Sequence, residues 1–158
     1  MTFLKKTISD NQKIELYKFN GDDFIDLDDG YHNDDAVKVC FLDLETTGLN
    51  KETCKIIEFA GKLTAIDKNN GELIGIIDKY QSFNDPEENI APEITRVTGI
   101  TNEDVAGHSL DWEYISNLIN HADIIVAHNA SFDRAFMDRY LPLSKDKVWV
   151  CSVNDINW

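Results

Sequence analysis

The chain has 158 residues, 42% of them hydrophobic, enough for one globular domain with its own core and with no sign of a second. Twenty-nine acidic residues against fifteen basic ones give a net charge of −14 and a pI near 4.5, which excludes nucleic-acid binding through a general positive field. Any contact with nucleic acid must then be local and cation-assisted. Cys40, Cys54 and Cys151 are odd in number and lack a C-x-x-C spacing, so neither a disulfide framework nor a zinc site is indicated, and a reducing, cytoplasmic setting is expected. No signal peptide opens the sequence and no apolar run reaches the length of a membrane span.

Residues 1–36 hold four lysines (Lys5, Lys6, Lys13, Lys18) against nine acids, with no Lys or Arg from Asn20 to Asp35. The acids around Gly30 do not fit a calcium loop, because Ile25 would fall at the first ligand position and Ala36 at the last. This acidic N-terminal arm reads either as solvated and partly disordered or as a loop tucked beside a sheet, which Phe24, Ile25 and Leu27 permit. A helix is expected over residues 10–19. The arm's role is unassigned.

Residues 37–50, VKVCFLDLETTGLN, run an apolar strand into two carboxylates and a turn. Val37, Val39 and Phe41 share one face and Cys40 and Leu42 the other, so a strand buried on both sides is expected. Residues two apart on a strand point the same way, so Asp43 and Glu45 project together from its end. Two like charges placed side by side are costly unless cations neutralise them. Hard oxygen ligands suit Mg²⁺ or Mn²⁺. The Thr46-Thr47-Gly48 turn adds small side chains and a flexible backbone that let a ligand approach the strand end. The plain alternative is an acidic strand end entering a loop.

Two further extended runs lie at residues 56–66 and 72–83, joined through Asn69-Asn70-Gly71, a hairpin signal because Asn and Gly accept positive φ. Pro92 suits the first turn of a short helix that Gly99 would end. Next comes a helix capped by Ser109, with Asp111 and Glu113 in its first turn and Trp112, Ile115, Leu118 and Ile119 on the face toward the sheet. Residues 123–128 form a short strand. Residues 131–141 form a helix with Phe132, Ala135, Phe136 and Tyr140 inward, stopped by Pro142, and residues 147–153 a last strand. Three strands in antiparallel meander, then helix, strand, helix, strand, make an α/β protein with a mixed sheet and helices on its faces.

The stretch 125–136, IVAHNASFDRAF, places His128 and Asn129 at a strand end and Asp133 early in the next helix. Each has an ordinary explanation alone, since an early helical Asp favours the dipole and a lone His is usually structural. Together with Asp43-Leu44-Glu45-Thr46-Thr47-Gly48, and with Ile90-Ala91-Pro92-Glu93 and Thr98-Gly99-Ile100-Thr101 between them, residues 37–158 resemble the DEDD superfamily of 3′–5′ exonucleases. That superfamily includes the proofreading epsilon subunit of bacterial replicative polymerase and ribonuclease T. The resemblance implies a ribonuclease-H-like fold and a two-ion Mg²⁺ or Mn²⁺ site with Asp43, Glu45 and Asp133 as catalytic metal ligands. Two cations roughly 3.5–4 Å apart suit in-line phosphodiester displacement.

Asp43, nearest the strand core, is the candidate bridge between ions, with Glu45 on the water-activating side and Asp133 on the other. Thr46 and Thr47 would border the terminal nucleotide, and His128 and Asn129 are further substrate-side candidates, His128 equally suited to a structural hydrogen bond. Leu49 and Ile100 fit two roles alike, packing on bases or anchoring their loops. The expected partner is a single-stranded DNA or RNA 3′ end, with a polymerase or a second copy of the chain as protein partner and no membrane.

The family's third motif, a His or Tyr with, in the His branch, an Asp five residues on, has no match after Asp133. The exonuclease-like domain over residues 37–158 is therefore expected to be C-terminally incomplete, or naturally short and weak. Two other functions compete: a non-catalytic module that binds a nucleic-acid end or a protein on the same fold, and a phosphotransferase of the actin-like ATPase type. Glu45 opposes the last, because a carboxylate there repels nucleotide phosphates unless metals intervene.

Overall fold

A computed structural model describes residues 4–10, 13–18, 24–28 and 30–155. Strands β1 (Leu4–Asp10) and β2 (Lys13–Lys18) pair antiparallel as a two-stranded sheet. The helix expected over residues 10–19 is therefore wrong where it can be checked: the segment Lys-Ile-Glu-Leu-Tyr-Lys alternates in polarity, the period of a strand. The arm's other described part is tucked, as one of its two readings had it. Leu27 N–H donates to Ile76 O at 2.6 Å, Ile76 N–H donates to Ile25 O at 2.9 Å, and Leu27 packs on the core.

The main sheet has five strands: β3 (Ala36–Thr46), β4 (Ile56–Asp67), β5 (Leu73–Phe83), β6 (Ile124–Ala127) and β7 (Val148–Cys151). Their spatial order is β5-β4-β3-β6-β7, with β3, β4 and β5 antiparallel and β6 and β7 running parallel to β3. The meander arises as its turn chemistry dictates, with Gly71 at φ 75° after the two asparagines. The last strand is shorter than the seven residues expected, ending at Cys151 in a turn closed by Asp155. No helix among the described residues is long and apolar enough to cross a membrane.

Among the described residues four α-helices lie between the strands: α1 (Pro92–Thr98), α2 (Asn102–Val105), α3 (Trp112–His121) and α4 (Ala130–Tyr140), the last followed by a 3-10 turn at Pro142–Asp146. Helix α1 starts at Pro92 and ends on left-handed Gly99, whose N–H donates to Thr95 O. Helix α2, unanticipated, is nucleated by a capping box between Thr101 and Asp104. The cap of α3 is Asp111 rather than Ser109; its carboxylate accepts from Tyr114 N–H, one residue before the apolar periodicity begins.

Helices α3 and α4 cover one face of the sheet, where Cys40, Leu42, Leu44, Phe59, Ile115, Leu118, Ile119 and Phe136 form the main core. On α4 the inward residues are Asp133, Phe136 and Met137; Ala135 is half-buried and Tyr140 exposed, because the helix sits one position round from the expected face. Burial of β3 on both sides holds only in part: on its other face Val39 is 5% exposed but Phe41 is 45% exposed, and at the sheet edge β7 carries Val148, 59% exposed.

Candidate active site

The β3–β4 ladder shifts register between Glu45 and Thr46, a bulge of the kind that bends a strand end and re-aims its side chains. Leu44 is buried on the covered face, so Asp43 and Glu45 stand on the opposite one. From the far side, β6 enters α4 through Asn129 at φ 62°, ψ 52°, a left-handed conformation Asn tolerates better than most residues. Asp133 falls in the first turn of that helix with 1% of its surface exposed, and its Oδ1 accepts Leu44 N–H at 3.1 Å. That amide lies between Asp43 and Glu45 in the chain, so one hydrogen bond joins the two motifs 89 residues apart.

Charge follows geometry. Burial, then the charges of Asp43 and Glu45, push the Asp133 carboxyl up to about 7 against the opposing pull of its own and the Leu44 amides. Asp43 is raised by burial and lowered by the neighbouring His128; Glu45 is raised by burial, by Asp43 and by Glu58. Glu58 was not singled out from the sequence. It stands directly across from Glu45 in the ladder and accepts Gln81 Nε2 at 2.6 Å, and a register count back from the hairpin turn was the signal that could have found it.

The other predicted residues divide. His128 is exposed, with Nδ1 2.9 Å from Ser152 Oγ. Asn129 is exposed and its Oδ1 accepts from Ser131 Oγ at 3.1 Å. The Thr46 hydroxyl is buried and donates to Gly48 O at 2.7 Å; the Thr47 hydroxyl donates to Glu88 at 3.2 Å and accepts Lys55 N–H at 3.0 Å. Both hydroxyls thus shape the loop. Leu49 is 86% exposed at the tip of that loop, whereas Ile100 is buried with Ile57, Ile90 and Val105. Of Ile100's two roles the structure gives it the anchor, because a side chain packed there has no surface to offer a base.

Among the described residues, no three His, Cys, Asp or Glu side chains are already drawn together as a cation cage. The donor set nevertheless fits a hard divalent cation. Asp43, Glu45 and Asp133 offer carboxylate oxygens, each raised in pKa, and none of the ion pairs among the described residues involves them. A cation is what would relieve that repulsion.

A sheet of this order with carboxylates gathered at the end of its central strand defines the class, a ribonuclease-H-like α/β domain. An exonuclease family profile, that of RNase T, matches residues 40–149, and the chain belongs to that family, within the DEDD exonuclease superfamily. The PolC-type DNA polymerase III of Staphylococcus aureus is 40% identical over 106 residues, covering 66% of this chain and 7% of the polymerase. The chain thus spans a small fraction of the curated relatives it matches. E. coli exonuclease I in complex with a dT13 oligonucleotide superposes with a TM-score of 0.57 at 17% identity, covering 77% of this chain and 32% of that one. An exonuclease I from Methylocaldum szegediense gives 0.56 at 19% identity over 75% and 28%. These likenesses bear out the fold expected from the sequence.

Proposed function

We propose that this domain hydrolyses the terminal phosphodiester of a single-stranded DNA or RNA 3′ end, using two Mg²⁺ or Mn²⁺ ions held by Asp43, Glu45 and Asp133. The observation that carries the reading is the Asp133 Oδ1 bond to Leu44 N–H, which sets a third carboxylate beside the Asp43-x-Glu45 pair. When bound, the ions would activate water and stabilise the leaving 3′ oxygen. The protein's own contribution is positional. The Leu44 amide fixes Asp133 in one rotamer, the bulge after Glu45 aims that carboxylate, and the engaged hydroxyls of Thr46 and Thr47 hold the loop at the rim. His128 is tied through Nδ1 to Ser152 Oγ, and its charge acts on Asp43, lowering that carboxyl against the rise from burial.

The negative chain repels a polyanion at long range, so affinity should come from the metal site and the rim and depend on salt far less than in a basic nuclease. The S. aureus relative is itself a DNA polymerase III of the PolC type, which supports a polymerase as the protein partner. The test is Mn²⁺-dependent release of 3′-terminal nucleotides from a 3′-labelled oligonucleotide, with Asp43→Ala expected to lose a factor on the order of 10³. Cleavage indifferent to Asp43, or oligonucleotide binding with no cleavage at any Mn²⁺ concentration, would favour the non-catalytic binding module instead.

A further inference from the structure

Arg139 is an exposed cation in a chain of net charge −14, yet among the described residues it pairs with no carboxylate. Its guanidinium instead faces two main-chain carbonyls of one loop. Nη1 donates to Lys51 O, and Nη2 donates to Cys54 O at 2.6 Å and to Tyr140 Oη at 2.6 Å. Beneath it the guanidinium carbon lies 4.6 Å from the Tyr140 ring centroid and 5.4 Å from that of Phe136. Tyr140 is itself stacked on Trp112 of α3, centroids 5.2 Å apart and planes within 5°. The side chain is thus braced by rings before it meets the loop, which lowers the entropy lost in ordering it.

The loop it holds is the one that follows β3. Within it Cys54 N–H returns to Asn50 O at 2.8 Å, and Thr47 N–H to Lys55 O at 2.8 Å. Cys54 closes against Gly48, where an added Cβ would lie 2.9 Å from Sγ, and Gly48 O accepts the buried Thr46 hydroxyl. A contact path therefore runs from Arg139 through Cys54 and Gly48 to the end of the strand that bears Glu45. The same helix carries Asp133 six residues earlier, about 9 Å along its axis.

We infer that Arg139 is a positioning residue: it clamps loop 47–55 to α4 so that the rim around Leu49 keeps its place relative to Asp133. The substrate half of this inference rests on the function proposed above; the clamp itself does not. A lysine cannot replace it, because one ammonium cannot span both carbonyls and stack on Tyr140 together.

Two measurements on the full chain separate the halves. Hydrogen–deuterium exchange of peptides covering residues 47–55, without metal, reads the clamp; Arg139→Ala should speed it roughly tenfold or more, Arg139→Lys nearly as much, and Asp43→Ala not at all. Anisotropy of a fluorescein-labelled single-stranded oligonucleotide in Ca²⁺ reads the rim; Arg139→Ala and Arg139→Lys should each raise Kd about tenfold while Mn²⁺ affinity stays at the wild-type value. Unchanged loop exchange overturns the clamp. Faster exchange with unchanged oligonucleotide Kd, or full rescue by lysine, overturns the positioning role. Wild-type chain that binds no oligonucleotide sinks the proposed function and the substrate half with it, and the exchange result still decides the clamp.

Discussion

The two faces of the β3 strand are made from the same eleven residues and do opposite work. On the covered face Cys40, Leu42 and Leu44 are packed under α3 and α4 with their neighbours from β4. On the other, Phe41 is 45% exposed and gives way to Asp43 and Glu45 at the bulge. The first face stores apolar burial; the second accumulates charge that burial makes worse. One strand can carry both because its side chains alternate, and Asp133 joins them by reaching from a covering helix to the amide of Leu44. Stability and chemistry should therefore separate cleanly by face.

The largest test of that separation is a pair of phenylalanines. Phe136, fully buried between α4 and the sheet, should cost about 3–5 kcal/mol when replaced by alanine, the transfer loss plus an unfilled cavity. Phe41→Ala should cost under about 1 kcal/mol, since nearly half its surface already meets solvent. Denaturant melts of the two variants check this, and equal losses would mean that the outer face is structural too.

Next is a pH effect at Asp133, the carboxyl that joins the two faces. Asp133 has its folded pKa raised from 3.8 to about 7, so its protonated form favours the fold. That stability is fully present below about pH 4 and is lost as pH rises through about 7. Three units bound the loss at about 4 kcal/mol, with 2–4 the expected range given the shared charge with Asp43. Metal-free Asp133→Asn should match wild type near pH 4 and exceed it above pH 7, while losing hydrolysis. Mn²⁺ at a hundred times Kd should recover about 2.7 kcal/mol in wild type at pH 7.5 and little at pH 4.5. A flat stability profile for the wild-type chain would show that these carboxylates are not coupled as the geometry implies.

A third variant tightens the covered face. Gly61 lies on β4 where an added Cβ would stand 2.8 Å from the Phe59 ring and 2.9 Å from Leu118 Cδ2 of α3. Gly61→Ala should cost about 1–3 kcal/mol by pushing the helix off the sheet, measurable by the same melts. No loss would mean that α3 has slack there.

What was legible in the sequence follows from the same alternation. The meander, the helix between Pro92 and Gly99, helices α3 and α4, and the placing of Asp43 and Glu45 on one face are local patterns, set by residues within a turn or a strand of one another. Phe41 misled because apolar character reports which residues can be buried, not whether anything arrives to cover them. Glu58 was missed because its role is fixed by register, and Arg139 because its partners are carbonyl oxygens 85 and 88 residues away, which no side-chain pattern encodes. Strand β2 replaces the expected helix because the alternating polarity of residues 13–18 has the period of a strand.

The smallest effect is also the sharpest check on where the covering layer begins. Ser109 and Asp111 both precede α3 and both are residue types that cap helices. Only the Asp111 carboxylate accepts a first-turn amide, Tyr114 N–H at 2.9 Å, while Ser109 is exposed. Asp111→Ala should therefore cost about 1 kcal/mol, and Ser109→Ala should fall within about 0.5 kcal/mol of wild type. The main-chain N–H of Asp111 donates to Tyr80 Oη at 2.9 Å, a bond the alanine keeps, so the difference reads the side-chain cap alone. The cap also places Trp112 one residue into the helix, under the Tyr140 ring that braces Arg139. If Asp111→Ala loosens loop 47–55 in hydrogen exchange as well as the first turn of α3, the brace is transmitted through that stack; if only the turn loosens, Tyr140 holds its place from α4 alone.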